Sequence, residues 1–294
     1  MKNLDDFKVK PNEYKDWIDK VTSSKKVKRL QLKDLEEELL KEYSKYETRV
    51  TAYRNKLPDS DFMSDHEMLV DFYEKPPVEL NTLLLERRHD HGLSECPFCG
   101  KPVSPGTLDH FIPKSDWPQF SIFQNNLVPQ CRDCAPIKGD DYHCKSKGHA
   151  IFISPIYSKL LSMISFDIII DFNESKRSIE IQTNIILPSN ITAKNERRLI
   201  SHLQALNTGK RIETYSLRTI KRWEKMLKVS DFDISSALQT RIDEKEPTER
   251  SKDWKTALFK GMLDNKELLN HLKTLRGINM KPIKKPKHTR RISL

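Results

Sequence analysis

Glycine is scarce in this 294-residue chain, with 8 in all. So few leave little room for flexible linkers, and regular structure is expected over most of the length. Long apolar runs are missing too. The most apolar stretch, IFISPIYSKLLSMISFDIIIDF, is broken by Pro155, Lys159 and Asp167, whereas a bilayer helix needs roughly 20 apolar residues in a row. The N-terminus MKNLDDFKVK has no apolar core of the kind a secretion signal carries. No membrane contact and a cytoplasmic location are therefore expected. Cysteine is sparse, 5 residues, but four of them form two C-x-x-C pairs. In a cytoplasmic chain that pattern points to metal before disulfides.

Acidic residues are plentiful overall, 42 against 52 Lys and Arg, for a net charge of +10. They are lacking in two places. Residues 193–228 carry 10 basic against 3 acidic side chains, and residues 281–294 carry 6 against none. Residues 1–93 are close to balance at 18 against 20, and residues 94–150 at 6 against 6. A basic surplus favours a polyanionic partner, nucleic acid first. The cysteine region is neutral, so any affinity would come from the flanks and any chemistry from the middle.

The fold class expected is α+β, predominantly helical. Residues 1–93 form an N-terminal helical region. There Leu32, Leu35, Leu39, Tyr43, Tyr46, Val50, Tyr53 and Leu57 recur at three- and four-residue steps, predicting one helix of about seven turns that ends at Pro58. Its stripe is expected to pack on its own protein rather than form a coiled coil. A second helix is predicted over 78–91, with Gly92 as its cap. Residues 94–150 make a central cysteine-bearing module. Residues 151–280 begin with two strands, FDIIIDF and SIEIQTNIIL, paired around NESKR. Helices follow, with a turn at LNTGKR and a break at DEKEPTER. The basic tail 281–294 has no apolar period and is expected to be disordered alone.

Cys96-Pro-Phe-Cys99 and Cys131-Arg-Asp-Cys134 suit two knuckles sharing one structural zinc ion. The competing reading is a pair of redox-active dithiols. Cys144 is taken as an ordinary thiol. Between the knuckles, Thr107-Leu108-Asp109-His110 predicts a short strand carrying an adjacent acid and imidazole. Alternation sends those two side chains to opposite faces unless a bulge intervenes.

The pieces CPFC, LDHFIPKS, NNLVPQC, CRDC and the following KG, in that order over about residues 94–142, resemble an HNH endonuclease of the four-cysteine kind. The resemblance implies a ββα-metal fold and hydrolysis of phosphodiester bonds in DNA, with structural Zn2+ and a separate catalytic Mg2+ or Mn2+. It also implies that Asp109 ligates the catalytic ion, that His110 is the general base, and that Asn126, rather than Asn125, braces the loop and orients the histidine through hydrogen bonds. The family's second ligand, usually Asn or His, follows the last cysteine. Here Ala135 stands there.

Three explanations fit that departure. The chain carries an inactivating substitution at an otherwise whole site, or Asp140, Asp141 or His143 supplies the ligand from further along the same helix, or the chain is a natural pseudo-nuclease. Lys138, Arg197, Arg198, Lys210, Arg211, Lys221 and Arg222 are candidate phosphate contacts. An HNH module inside such additions, followed by Ser154-Pro155-Ile156-Tyr157, also resembles nuclease components of antiphage systems. Those work with an ABC or SMC-like ATPase, a partner for which the N-terminal helices and the hairpin would be docking surfaces. The alternatives are a non-catalytic, zinc-stabilised nucleic-acid-binding or assembly subunit, and a toxin-like nuclease acting on RNA. Oligomeric state is left open.

Overall fold

The computed structural model describes residues 1–53, 56–144, 146 and 148–279. The predicted basic tail lies outside them.

The N-terminal region is helical: α1 (Asp16–Thr22), α2 (Arg29–Asp34), α3 (Glu36–Thr51), α4 (His66–Glu74) and α5 (Val78–His89). The single long helix expected from the apolar stripe is two, divided at Leu35. The amide of Leu35 still donates to Gln31 O, and Leu39 donates to Leu35 O. The bonding pattern therefore runs almost unbroken through the division, and so does the apolar spacing. The helix also stops earlier than Pro58, at Thr51, although Tyr53 and Leu57 beyond it remain buried.

The buried face of α3, with Leu39, Tyr43, Tyr46 and Val50, packs on the loop between the two cysteine pairs. Tyr43 stacks on Phe123 with ring centroids 4.1 Å apart. Tyr46 meets Phe120 and Phe123 edge-on at 5.1 and 5.0 Å. Such aromatic pairs contribute about 0.5–1.5 kcal/mol each beyond their buried area. The stripe thus covers its own protein.

The central module is a two-stranded antiparallel sheet, β1 (Thr107–His110) with β2 (Leu127–Gln130), followed by the short helix α6 (Ala135–Lys138). A two-residue pairing follows, β3 (His143–Cys144) with β4 (His149–Ala150). The long hairpin is β5 (Ser165–Asn173) with β6 (Ser178–Ile186). Along β5, Phe166, Ile168, Ile170 and Phe172 all point inward, as strict alternation requires.

The C-terminal helices are α7 (Ala193–Ala205), α8 (Thr208–Lys228), α9 (Ile234–Asp243), α10 (Trp254–Asp264) and α11 (Lys266–Thr274). Helix α10 lies so close on β5 that a Cβ added to Gly261 would fall 2.1 Å from Ile168 O. One buried apolar cluster runs from the N-terminal segment through the module to α11. Among the described residues, no helix is long and apolar enough to cross a membrane.

Candidate metal centre and catalytic site

The knuckles fold by local backbone bonds. Gly100 N donates to Cys96 O at 2.8 Å, and Cys134 N to Cys131 O at 3.0 Å. Gly100 takes φ +75°, a conformation that suits glycine. All four sulfurs, of Cys96, Cys99, Cys131 and Cys134, are buried and lie within 4.8 Å of one another, with Cys99 Sγ and Cys131 Sγ 3.9 Å apart. Zinc bonded to sulfur at about 2.3 Å in a tetrahedron sets sulfurs about 3.8 Å apart, whereas a disulfide needs about 2.05 Å.

The donors around the cluster fit metal-bound thiolates as well. Arg211, from the first turn of α8, donates to Cys134 Sγ at 3.3 Å, Cys99 Sγ at 3.6 Å and Cys131 Sγ at 3.7 Å. A guanidinium can only donate, so these sulfurs accept. Trp254 donates its indole N–H to Cys99 O at 2.6 Å, and its ring lies 5.4 Å from the Arg211 guanidinium. The four cysteines therefore form a buried cluster that could hold a structural zinc ion.

The pairing of β1 with β2 is regular, Asp109 opposite Val128 and His110 opposite Leu127. With no bulge, the acid and the imidazole meet different neighbours. The Asp109 carboxylate accepts from the Lys138 ammonium at 3.1 Å, while its Oδ2 has no partner among the described residues. Lys138 is fully buried and also donates to His110 O at 3.2 Å. Burial pushes the Asp109 carboxyl above its ordinary range, and Lys138 opposes that shift.

The His110 ring sits edge-on to Tyr73 at 4.3 Å, and its Nε2 lies 2.9 Å from Ser121 O. A carbonyl only accepts, so Nε2 carries the proton and Nδ1 keeps the free lone pair. Burial lowers its pKa to about 3, with the Ser121 carbonyl opposing, so the ring is neutral at pH 7.

Asn126 is saturated by partners other than His110, so it does not orient the imidazole by a direct hydrogen bond as expected. Its Oδ1 accepts from Ile112 N at 2.8 Å and Tyr46 Oη at 2.7 Å, and its Nδ2 donates to Ile112 O and Phe120 O, both at 3.0 Å. It ties both ends of the loop over residues 111–126 to α3. Asn125 does different work: its amide pairs with the backbone of Val9 in both directions, at 2.8 and 3.0 Å.

The residues present do not fit a second, catalytic divalent ion. Ala135 offers no donor atom, and the Asp109 carboxylate is already matched by an ammonium. Among the described residues, the cysteine cluster alone gathers three or more ligating side chains. The expectation that Asp140, Asp141 or His143 lies further along the same helix is corrected. Helix α6 ends at Lys138, and Gly139, at φ +48°, turns the chain away. Asp140, Asp141 and His143 instead line a separate cavity of about 480 Å3 with Asp116 and Trp117.

Two of the basic residues expected at phosphates are committed elsewhere. Lys138 is buried against Asp109, and Arg211 is drawn in by the cysteine sulfurs. Arg198 is half-buried over the Tyr53 ring at 4.6 Å, and Lys210 pairs with Glu213 at 3.0 Å. Arg197 is exposed on α7. Lys221 and Arg222 are exposed on α8 together with Arg218 and Lys225. That spacing makes one stripe along the helix, and none of the four has an ion-pair partner among the described residues. The sequence signal for the stripe was present in α8; its continuation through Arg218 and Lys225 was missed.

No family model and no solved structure matches this chain. It is 29% identical over 125 residues to "Protein ea31" of Escherichia phage lambda. That stretch is 40% of this chain and 39% of the phage protein, well under two thirds of either.

Proposed function

We propose that this chain is an HNH-type DNA endonuclease module whose cation site is incomplete in the present sequence, so that it binds DNA and cuts it poorly or not at all. The observation that carries the reading is one compact unit. Supporting it, the regular β1–β2 pairing carries Asp109 and His110, and α6 begins at Ala135 directly after the buried cysteine cluster, the order of pieces on which the HNH resemblance rests.

The residues supply part of the chemistry. His110 is oriented through Nε2–H to Ser121 O, which leaves Nδ1 as the atom that would take a proton from water, a role for which the pKa of about 3 set by burial would have to rise toward neutrality. Asn126 fixes the loop that carries Ser121. The stripe Arg218, Lys221, Arg222 and Lys225 supplies salt-sensitive affinity for a phosphate backbone. A divalent Mg2+ or Mn2+ ion would supply charge neutralisation at the scissile phosphate, and the present residues hold no place for it. A role in antiphage defence beside an ABC or SMC-like ATPase rests on the resemblance alone.

A second reading, a non-catalytic zinc-stabilised DNA-binding or assembly subunit, is favoured by the buried Lys138–Asp109 pair, in which an ammonium already meets one oxygen of the carboxylate. The two separate on one substitution. Ala135→Asn should yield Mg2+- or Mn2+-dependent nicking of supercoiled plasmid, and adding His110→Ala should abolish it with zinc content unchanged. If Ala135→Asn leaves the plasmid intact while still binding it, the non-catalytic reading stands.

A further inference from the structure

Helix α8 presents two unlike faces side by side. Arg218, Lys221, Arg222 and Lys225 form the exposed basic stripe. Tyr215, Thr219, Trp223 and Met226, at steps of three and four residues, form the adjoining face. This second face lines a groove between α8, α9 and α10. Two cavities of about 390 and 410 Å3 make up the groove, and they adjoin, because Trp223, Met226 and Arg241 line both.

The groove is aromatic. The Trp223 ring meets Phe232 at 6.0 Å and Phe259 at 5.8 Å, with ring planes at 61° and 87°, so neither neighbour lies flat on it. Tyr215, Trp223 and Phe232 are only half-buried, and a groove of part-exposed rings marks an interaction surface. It is also cationic. Arg222 stands on the border of the two faces and lines one cavity, which Arg241 and Lys255 line from α9 and α10. The one acid among the lining residues is Glu244, which pairs with Arg241 at 2.6 Å and with Lys255 at 3.7 Å.

We infer that this groove binds single-stranded DNA, with phosphates along the stripe and unpaired bases against Trp223 and Tyr215. The inference rests on the DNA-binding reading above and deepens it. The cations call for an anionic partner and the rings for a flat, apolar one. An unpaired strand supplies both at once, since every base has a face that can stack on an aromatic side chain. In a duplex the bases are stacked on one another, and the rings gain nothing. An acidic peptide would use the cations and leave the rings idle. From Tyr215 to Met226 the helix runs about 16 Å, room for about four stacked nucleotides at roughly 3.4 Å each. Arg211, which faces the cysteine sulfurs, lies about 10 Å before Arg218 on the same helix, so the strand would run on from the cysteine-bearing module.

The test is fluorescence anisotropy of the full chain with a labelled oligothymidylate of about twelve nucleotides and, separately, with a duplex of the same length at the same salt concentration. The single strand should bind about tenfold more tightly than the duplex. Trp223→Leu keeps an apolar side chain and removes the ring, and it should weaken the single strand about tenfold more than the duplex. Arg222→Gln should weaken both and reduce the salt dependence of binding. A measurement on the wild type needs no variant to fold: oligothymidylate carrying 5-iodouracil should photocrosslink to the peptide that holds Tyr215 or Trp223. If the duplex binds as tightly as the single strand, the inference is overturned and the DNA-binding reading stands; if neither binds, both fall. Crosslinks confined to other peptides overturn the inference, as does displacement of the strand by polyglutamate as readily as by unlabelled oligothymidylate.

Discussion

The guanidinium of Arg211 sets positive charge against three of the four cysteine sulfurs, and four thiolates around one dication leave a net negative charge to be balanced. Outer-shell partners of this kind commonly change metal affinity by about 10–100-fold. Arg211→Ala should therefore release zinc to a chelator at least about tenfold faster, read from a colorimetric zinc assay. An unchanged release rate would sink the charge-balancing role. In the sequence Arg211 looked like one more cation on a basic helix, because nothing local distinguishes an arginine facing sulfur from one facing water. Lys138 was hidden in the same way: lysine is almost always exposed, and its partner Asp109 lies 29 positions away. The cysteine spacing was legible because both knuckles are formed by contiguous residues.

His202 makes a pH-dependent contribution at the same scale. Fully buried on α7, it accepts from Ile153 N at 3.1 Å through Nδ1 and donates from Nε2 to Phe98 O, inside the first knuckle, at 2.7 Å. Burial lowers its pKa to about 4 from an ordinary 6.5. The folded state thus binds fewer protons than the unfolded chain between those values. Stability falls as pH drops from 6.5 toward 4 and is unaffected by this group above 6.5. From pH 6.5 to 5.5 the loss should be about 1 kcal/mol. Urea unfolding at the two pH values should show it in the wild type, and His202→Gln should remove that part of the slope.

At the scale of elements, the contact of α10 with β5 is the tightest constraint. A methyl group at Gly261 would collide with the Ile168 carbonyl, which is backbone and cannot turn aside. Gly261→Ala should lower stability by about 2–3 kcal/mol through overpacking, seen as a lower urea midpoint with an unchanged m-value. An Ala at Gly209, where nothing lies within 4 Å, should lack that penalty. Strands β5 and β6 were legible because two runs rich in β-branched residues flank the turn residues NESKR. The division of α2 from α3 was not. Apolar residues keep helical spacing through Leu35, so the sequence carries no sign of the break. Helix α6 was legible only in its start: a helix of four residues has no period to read, and Gly139 ends it.

At the scale of the molecule, the boundaries near residues 93 and 150 divide the sequence by composition, while the core passes through them. Tyr43 and Tyr46 cover Phe120 and Phe123, and Arg211 and Trp254 close over the knuckles. A fragment of residues 94–150 with zinc should therefore give no cooperative thermal transition, whereas the full chain should melt as one unit. Separate transitions for the full chain would contradict the shared core.

Trp254 is 1% exposed, bonded to the carbonyl of a cluster cysteine and stacked under the arginine that faces the sulfurs. With Trp17, Trp117 and Trp223 replaced by Phe, its indole is consequently an intrinsic optical gauge of the knuckles. Ultraviolet emission from this ring shifts toward longer wavelength once water reaches it, so the colour of that single-tryptophan variant's fluorescence follows the state of the clamp without any added dye.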